Sequence, residues 1–245
     1  MNIAIVGYGK MGKEIEARAK ERGIIVSKIF ARQDNTEGSG LTRASLKNVD
    51  VCMEFTKSPH VMQNIRAIAA ARKNIVVGTT GWYDQLPAVE KLVKTAKIGL
   101  VYSPNFSLGI NLFYRLVGAT CRLFDKFDSY DIAVTEMHHK EKADSQSGTA
   151  LALGNIVVQN VRRKKEILHE TAHAKVKPEQ LHITSTRVGN VIGRHAVIFD
   201  SDADSIELLH DAKNRRGFAL GALMAAEWLK GKRGIFTMND VLSSV

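Results

Sequence analysis

Two cysteines are few for 245 residues, and Cys52 and Cys121 stand in apolar surroundings with no metal-ligand spacing around them. They read as reduced core thiols of a cytoplasmic protein. No apolar run approaches the roughly 20 residues needed to span a bilayer. The opening stretch, Met1-Asn2-Ile3-Ala4-Ile5-Val6-Gly7, lacks the basic start and cleavage site of a signal peptide and reads as a strand that begins at once. There are no internal repeats and no low-complexity tracts. No Cys/His/carboxylate spacing suggests a metal, so none is expected. Acidic residues are also short, 25 against 35 basic ones, for a net charge of +10. Nucleic acid is one partner such a surplus fits. However, the charges are spread along the chain. The densest run, Arg162-Arg163-Lys164-Lys165, has no interleaved aromatics and falls where a helix should end, where cations suit the dipole. A small anionic substrate and a phosphate-bearing cofactor explain the surplus equally well. Neither a nucleic-acid nor a membrane partner is expected.

The apolar fraction is ordinary, and the length fits one large domain or two small ones. Residues 2–6 form a β-branched apolar run followed directly by Gly7-Tyr8-Gly9-Lys10-Met11-Gly12. Residues 13–22 read as a helix and 25–30 as a second strand. A GxGxxG between strand and helix is a dinucleotide fingerprint: Gly7 for the tight turn, Gly9 for the approach of a pyrophosphate, Gly12 for close helix packing. Ala31 stands where an acidic ribose anchor is expected, and Arg32 follows. An arginine there can pair with a 2′-phosphate, which tilts the cofactor toward NADPH while leaving NADH open. After a polar loop over 36–47, strands at 50–55, 74–77 and 98–102 alternate with helices from Ser58-Pro59 and over 83–95. This alternation predicts a parallel, helix-flanked sheet. Phe55-Thr56, Gly78-Thr79-Thr80 and Ser103-Pro104-Asn105-Phe106 fall at strand ends, where such sheets bind ligands.

The pattern then changes. Residues 109–124 are helical, 129–137 alternate as a strand, and strand-like segments at 182–188, 195–199 and 205–210 follow one another without helices between them. They predict an α+β unit with a mixed sheet, whose free face suits an oligomer contact. An apolar helix spans 217–230, and the tail over 231–245 is expected to return to the first unit. The domains expected are therefore 1–107 with 217–245, binding dinucleotide, and 108–216, binding substrate and partner chains. Between the strand at 129–137 and the helix opening at Gly148 lies Glu136-Met137-His138-His139-Lys140-Glu141-Lys142-Ala143-Asp144-Ser145-Gln146-Ser147-Gly148-Thr149-Ala150. Histidine and lysine can move protons, and a Ser-Gly-Thr turn opening a helix can hold an anion. The remaining histidines, His195 and His210 among them, read as ordinary polar or strand residues.

These stretches resemble the 4-hydroxy-tetrahydrodipicolinate (dihydrodipicolinate) reductase family of bacterial lysine and diaminopimelate biosynthesis. The resemblance covers nearly the whole chain. It is most specific over Glu136-Met137-His138-His139-x-x-Lys142-x-Asp144-x-x-Ser147-Gly148-Thr149-Ala150, and Arg187-x-Gly189, Gly193-x-His195 and Arg215-x-x-Phe218 support it. It implies a Rossmann-type NAD(P)H domain, a mixed-sheet substrate and oligomerisation domain, and a homotetramer acting on a cyclic dicarboxylate. By position, His138 resembles the acid/base histidine and Lys142 the proton donor. His139, Ser147, Gly148, Thr149 and, more weakly, Arg215 resemble substrate contacts. Gly7, Tyr8, Gly9, Lys10, Met11, Gly12, Arg32, Phe55, Thr56, Gly78, Thr79, Thr80, Ser103, Pro104, Asn105 and Phe106 match the cofactor side. The implied reaction sends a hydride to ring C4 with loss of water. The sequence departs from the family at Ser145-Gln146, where Ala-Pro is usual, and at Glu54, where Asp is usual; the first predicts a less rigid loop before Ser147. Two alternatives are another two-domain NAD(P)-dependent reductase or amine dehydrogenase, and a non-catalytic dinucleotide-binding sensor. The latter has no need of His138, His139 and Lys142 together.

Overall fold

A computed structural model describes residues 1–169 and 172–243. They form two compact units, Met1–Leu108 with Arg215–Val245, and Gly109–Asn214.

The first unit is built on a six-stranded parallel sheet. Its strands are β1 (Asn2–Val6), β2 (Ile25–Phe30), β3 (Val51–Glu54), β4 (Asn74–Val77), β5 (Gly99–Tyr102) and β11 (Gly234–Thr237), in the order β11-β5-β4-β3-β1-β2. Successive side chains of a strand point to opposite faces, and here both faces are buried. Ala4, Val6 and Cys52 join one core with helix α2 (Ser58–Ala70) and helix α3 (Leu86–Ala96). Ile3, Ile5, Val51 and Met53 join another with helix α1 (Lys10–Glu21), helix α6 (Arg216–Trp228) and helix α7 (Met238–Ser243). This two-sided burial explains why the strands read as continuous apolar runs rather than alternating ones. Helix α1 begins three residues earlier than its apolar spacing predicts, at Lys10, and the tail beyond α6 is itself a strand and a helix. Strand β11 is only four residues long and pairs in parallel with the edge of β5.

The second unit has a mixed sheet of β6 (Asp131–His138), β7 (Glu166–Leu168), β8 (Gln180–Arg187), β9 (Arg194–Asp200) and β10 (Ser205–Asp211), in the order β10-β9-β6-β8-β7. β6 is central, parallel to β8 and antiparallel to β9. Helices α4 (Leu108–Phe124) and α5 (Gly148–Asn160) contribute Ile110, Phe113, Val117, Leu153 and Val157 to the core over one sheet face. That face can be followed row by row through the register. Ile132 lies opposite Phe199, and Val134 lies between Ile183 and Val197. The next row is Ser185, Glu136 and His195, and the last pairs His138 with Arg187. The face is thus hydrocarbon over the first two rows of β6 and polar over its final two.

The Cys52 and Cys121 thiols are free and buried. Burial pushes both up to about 12, which leaves them unreactive. The basic run after α5 is largely occupied internally. Arg162 bonds Asp125 at 2.7 Å, and Arg163 donates to the Tyr130 carbonyl at 2.6 Å. The buried Lys164 bonds the Gln180 carbonyl at 2.7 Å and Asp131 at 2.6 Å.

Candidate active site

In the first unit, the glycine motif, Phe55-Thr56, Gly78-Thr79-Thr80 and Ser103-Pro104-Asn105-Phe106 follow β1, β3, β4 and β5, four adjacent strands, at their carboxyl ends. Gly7 has φ +96°, and a Cβ there would lie 2.3 Å from the Phe55 carbonyl oxygen. A Cβ on Gly12 would meet the Gly7 carbonyl at 2.3 Å, whereas one on Gly9 would meet nothing within 4 Å. The turn is therefore packed from below and open at Gly9. There α1 starts without a side-chain cap. The first helical N–H bonded within the turn is that of Lys13, to Gly9 O at 3.1 Å, so those of Lys10, Met11 and Gly12 have no backbone partner among the described residues and can meet an anion. This fits a dinucleotide's pyrophosphate. Tyr8 bonds Glu16 through its hydroxyl. Arg32 is exposed in a single turn after β2, and Asp34 accepts the Ala31 N–H at 3.2 Å.

The other rim loops are tied together. Thr79 Oγ1 accepts the Thr56 N–H at 2.8 Å. Glu54, fully buried, accepts from the Thr56 hydroxyl and from Asn64. Burial raises its carboxyl pKa, and the hydrogen bonds only partly offset that. Phe55 and Phe106 pack with ring centroids 5.9 Å apart. A Cβ on Gly221 of α6 would sit 1.8 Å from the Phe106 carbonyl oxygen, so that helix lies directly against the fourth loop. Thr80 and Pro104 are exposed beside these braces, and Ser103 is buried.

In the second unit, β6 ends at His138, and residues 139–147 lead into α5. Ser147 is the N-cap: its Oγ accepts the Ala150 N–H at 3.2 Å. Nothing lies within 4 Å of a Cβ placed on the exposed Gly148, so the helix start is open. Lys142 Nζ donates to Asp144 at 2.6 and 2.9 Å, and the Lys142 bond holds the Asp144 carboxyl below its usual range. The loop is less free than the absence of proline predicts, because Gln146 donates to the Ile183 carbonyl at 2.9 Å and bonds His169 at 3.0 Å. His139 is half-buried beside this loop, and Thr149 bonds the Tyr114 hydroxyl. Arg215 is the residue before α6 and belongs to the first unit, whereas the other substrate-side candidates belong to the second.

A group that the sequence did not single out lies beneath His138. Glu136 Oε1 accepts from Ser185 Oγ at 2.7 Å, Arg187 Nη2 at 3.0 Å and the Ser147 N–H at 3.1 Å. Its Oε2 lies 3.2 Å from His138 Nδ1 and 3.6 Å from His195 Nε2. His195 Nε2 also bonds Ser147 Oγ at 3.2 Å, so His195 is part of the cluster and not only a satisfied strand residue. Burial alone would raise the Glu136 carboxyl. The bonds from His195, Ser147 and Ser185 outweigh it and keep the group well below the carboxylate range. Burial pushes His138 down to about 4; Glu136 pulls the other way, and His195, Lys142 and Arg187 add to the depression. His138 is therefore neutral at pH 7. The donor set of Glu136, His138 and His195 could also surround a metal ion, with these atoms all within 4.8 Å of one another.

Comparison with known proteins places this arrangement. The family description "Dihydrodipicolinate reductase, N-terminus" matches residues 1–106, and "Dihydrodipicolinate reductase, C-terminus" matches residues 109–242. The chain belongs to the dihydrodipicolinate reductase family. It is 38% identical over 246 residues to the 4-hydroxy-tetrahydrodipicolinate reductase of Christiangramia forsetii, covering 100% of this chain and 99% of that one. It is 32% identical to the enzyme of the same name from Laribacter hongkongensis, covering 99% and 98%. The protein is thus a 4-hydroxy-tetrahydrodipicolinate reductase, an oxidoreductase of lysine biosynthesis, in a family that uses NAD(P)H. Its fold is that of the dipicolinate-bound dihydrodipicolinate reductase from Paenisporosarcina sp. TG-14, with a TM-score of 0.77 at 22% identity over 98% of both chains. An amine dehydrogenase from Mycobacterium smegmatis shares the fold at a TM-score of 0.64 and 10% identity, covering 98% and 95%.

Proposed function

We propose that Lys142 is the proton donor and His138 the proton acceptor of the reduction, with Ser147, Gly148 and Thr149 receiving a substrate carboxylate. The observation that carries this is the pairing of two unlike basic groups in one loop. His138 is held neutral by burial, and Lys142 is ion-paired with Asp144 at 2.6 Å in the loop that follows it. A neutral imidazole suits the acceptor role and leaves that of donor to the lysine. Overall, hydroxide at ring C4 is replaced by hydride, and one proton is consumed to release it as water. A bound reduced nicotinamide supplies the hydride. His138 accepts the ring proton that departs with the hydroxide, and Lys142 protonates the carbon next to C4 as negative charge reaches it. His139, Lys142 and the N–H groups at the start of α5 offset the charge of the two carboxylates. Arg215 supplies a further cation for the substrate.

On the cofactor side, the turn from Gly7 to Gly12 holds the pyrophosphate. The rim from Phe55 and Thr56 through Thr79 to Asn105 and Phe106 holds the nicotinamide. Arg32 favours the 2′-phosphate of NADPH, since Asp34 already spends an oxygen on the Ala31 N–H. The test is a coupled assay in which the upstream synthase makes the cyclic substrate in situ and loss of NADPH or NADH absorbance is followed. Rapid oxidation with NADPH faster than NADH is expected. Oxidation of neither, with both still bound, would overturn the substrate assignment, and a faster NADH rate would overturn the role of Arg32.

The protein is further proposed to act in the cytoplasm as a homotetramer built on the second unit. Its sheet carries Leu209, 44% exposed, on the face opposite the helices, with Ile198 and Ala196 on the same side.

A further inference from the structure

We infer that Glu136 is a positioning residue for this reaction: its carboxylate fixes which nitrogen of His138 carries the proton and, together with His195, aims the Ser147 turn. The inference rests on the assignment of His138 and Ser147 above and adds the residue through which both are held. Three features carry it. First, one side chain reaches both ends of the loop. Glu136 Oε1 takes the Ser147 N–H at 3.1 Å, and Oε2 lies 3.2 Å from His138 Nδ1. Secondly, His138 Nδ1 and Glu136 Oε2 are buried 3.2 Å apart, and neither makes a hydrogen bond to any described residue. A bare Nδ1 would turn its lone pair on the carboxylate oxygen, which can only accept, so the proton sits on Nδ1 and leaves Nε2 with its lone pair. Nε2 is the atom that lies near Gly193, where a Cβ would come within 3.1 Å of it. Thirdly, the same rule puts a proton on His195 Nε2, which faces Glu136 Oε2 at 3.6 Å and Ser147 Oγ at 3.2 Å. Ser147 Oγ then accepts from both His195 and Ala150, and its own hydroxyl proton is left to donate to Glu136, so side chain and backbone of the turn are both tied to that carboxylate.

The groups facing His138 are Glu136 on its own strand, His195 on β9, Arg187 on β8 and Lys142 in the loop, with His210 of β10 behind His195. Glu136 is the only anion among them. Replacing it with glutamine keeps the shape and an oxygen for Ser147, but presents an N–H to His138 Nδ1. This would move the imidazole proton to Nε2 and remove the acceptor, as inverting a catalytic tautomer does elsewhere.

The first experiment is nitrogen-15 NMR of the histidine side chains in the wild-type enzyme at pH 7. His138 is expected as the Nδ1–H tautomer, and an Nε2–H tautomer would overturn the proposal. This readout needs no substrate, so it stands apart from the reductase assignment. Absent activity with the expected tautomer would sink the assignment of the reaction and leave that of Glu136 intact. Glu136→Gln is expected to show the inverted tautomer and a kcat lower by on the order of 100-fold, with KM changed far less. A purely structural Glu136 would lower the melting temperature and leave the tautomer and kcat of the folded enzyme unchanged. His195→Gln is the second variant. It should raise KM for the substrate about 10-fold through Ser147 and leave the His138 tautomer as it is. An unchanged KM would remove His195 from the proposal.

Discussion

Glu54 and Glu136 are both buried carboxylates, yet their environments drive them in opposite directions. Glu54 meets hydroxyls and an amide, and burial raises its pKa. Glu136 meets Arg187, His195, Ser185 and the Ser147 N–H, and is held low. A charge is retained in the interior only where donors and an opposite charge surround it. The same comparison fixes a pH response. His138 takes a proton near 6.5 when exposed but only near 4 in the fold. Between those values the unfolded chain binds more protons, so stability is full above about pH 6.5 and falls as pH drops toward 4. Glu136 continues the loss below its unfolded value of 4.5. Melting temperatures between pH 7.5 and 4.5 should therefore fall more steeply for the wild type than for His138→Gln. Equal slopes would remove His138 as the cause. His138, Lys142 and Ser147 were legible in the sequence because they sit in one contiguous stretch of distinctive chemistry. Ser185, Arg187 and His195 were not given roles, because only the pairing of β6 with β8 and β9 brings them to Glu136.

Helix α5 carries the proposed substrate side. Its first turn is closed by Ser147 alone, since no acidic residue stands there. Ser147→Ala removes the cap and the partner of His195. It should cost about 1 kcal/mol of stability and raise KM for the substrate, read by denaturant unfolding and the coupled assay. Stability lost without a change in KM would limit Ser147 to a structural role. Strand and helix positions in the first unit were legible because alternation of apolar runs with glycine and proline punctuation is strong there. The short elements were not: β7 has three residues and β11 four, and each exists because a neighbouring strand offers an edge to pair with. The early start of α1 is hidden for a different reason. Its first turn is glycine-bearing and polar, and only its backbone marks it as helix.

At the scale of the whole molecule, fold and chemistry separate. The amine dehydrogenase likeness shows that this two-unit architecture serves more than one reaction, so the architecture alone does not choose between them. The stretch from Glu136 to Ala150 and the family match do. The net charge of +10 has a partly internal use, because Arg162, Arg163 and Lys164 tie the end of α5 to neighbouring segments. The proposed assembly predicts a light-scattering mass four times that of the chain. Leu209→Glu on the uncovered sheet face should shift it toward smaller species, and a wild-type monomer would contradict the assembly.

In the proposed division of labour Lys142 gives the proton and a neutral His138 takes one. The most direct measurement is the rate of NADPH oxidation at saturating, synthase-generated substrate for wild type, Lys142→Ala and His138→Gln, beside NADPH affinity for each by fluorescence. Turnover should fall by roughly 100-fold or more in both variants, with NADPH affinity unchanged. Wild-type-like turnover in both would contradict the claim.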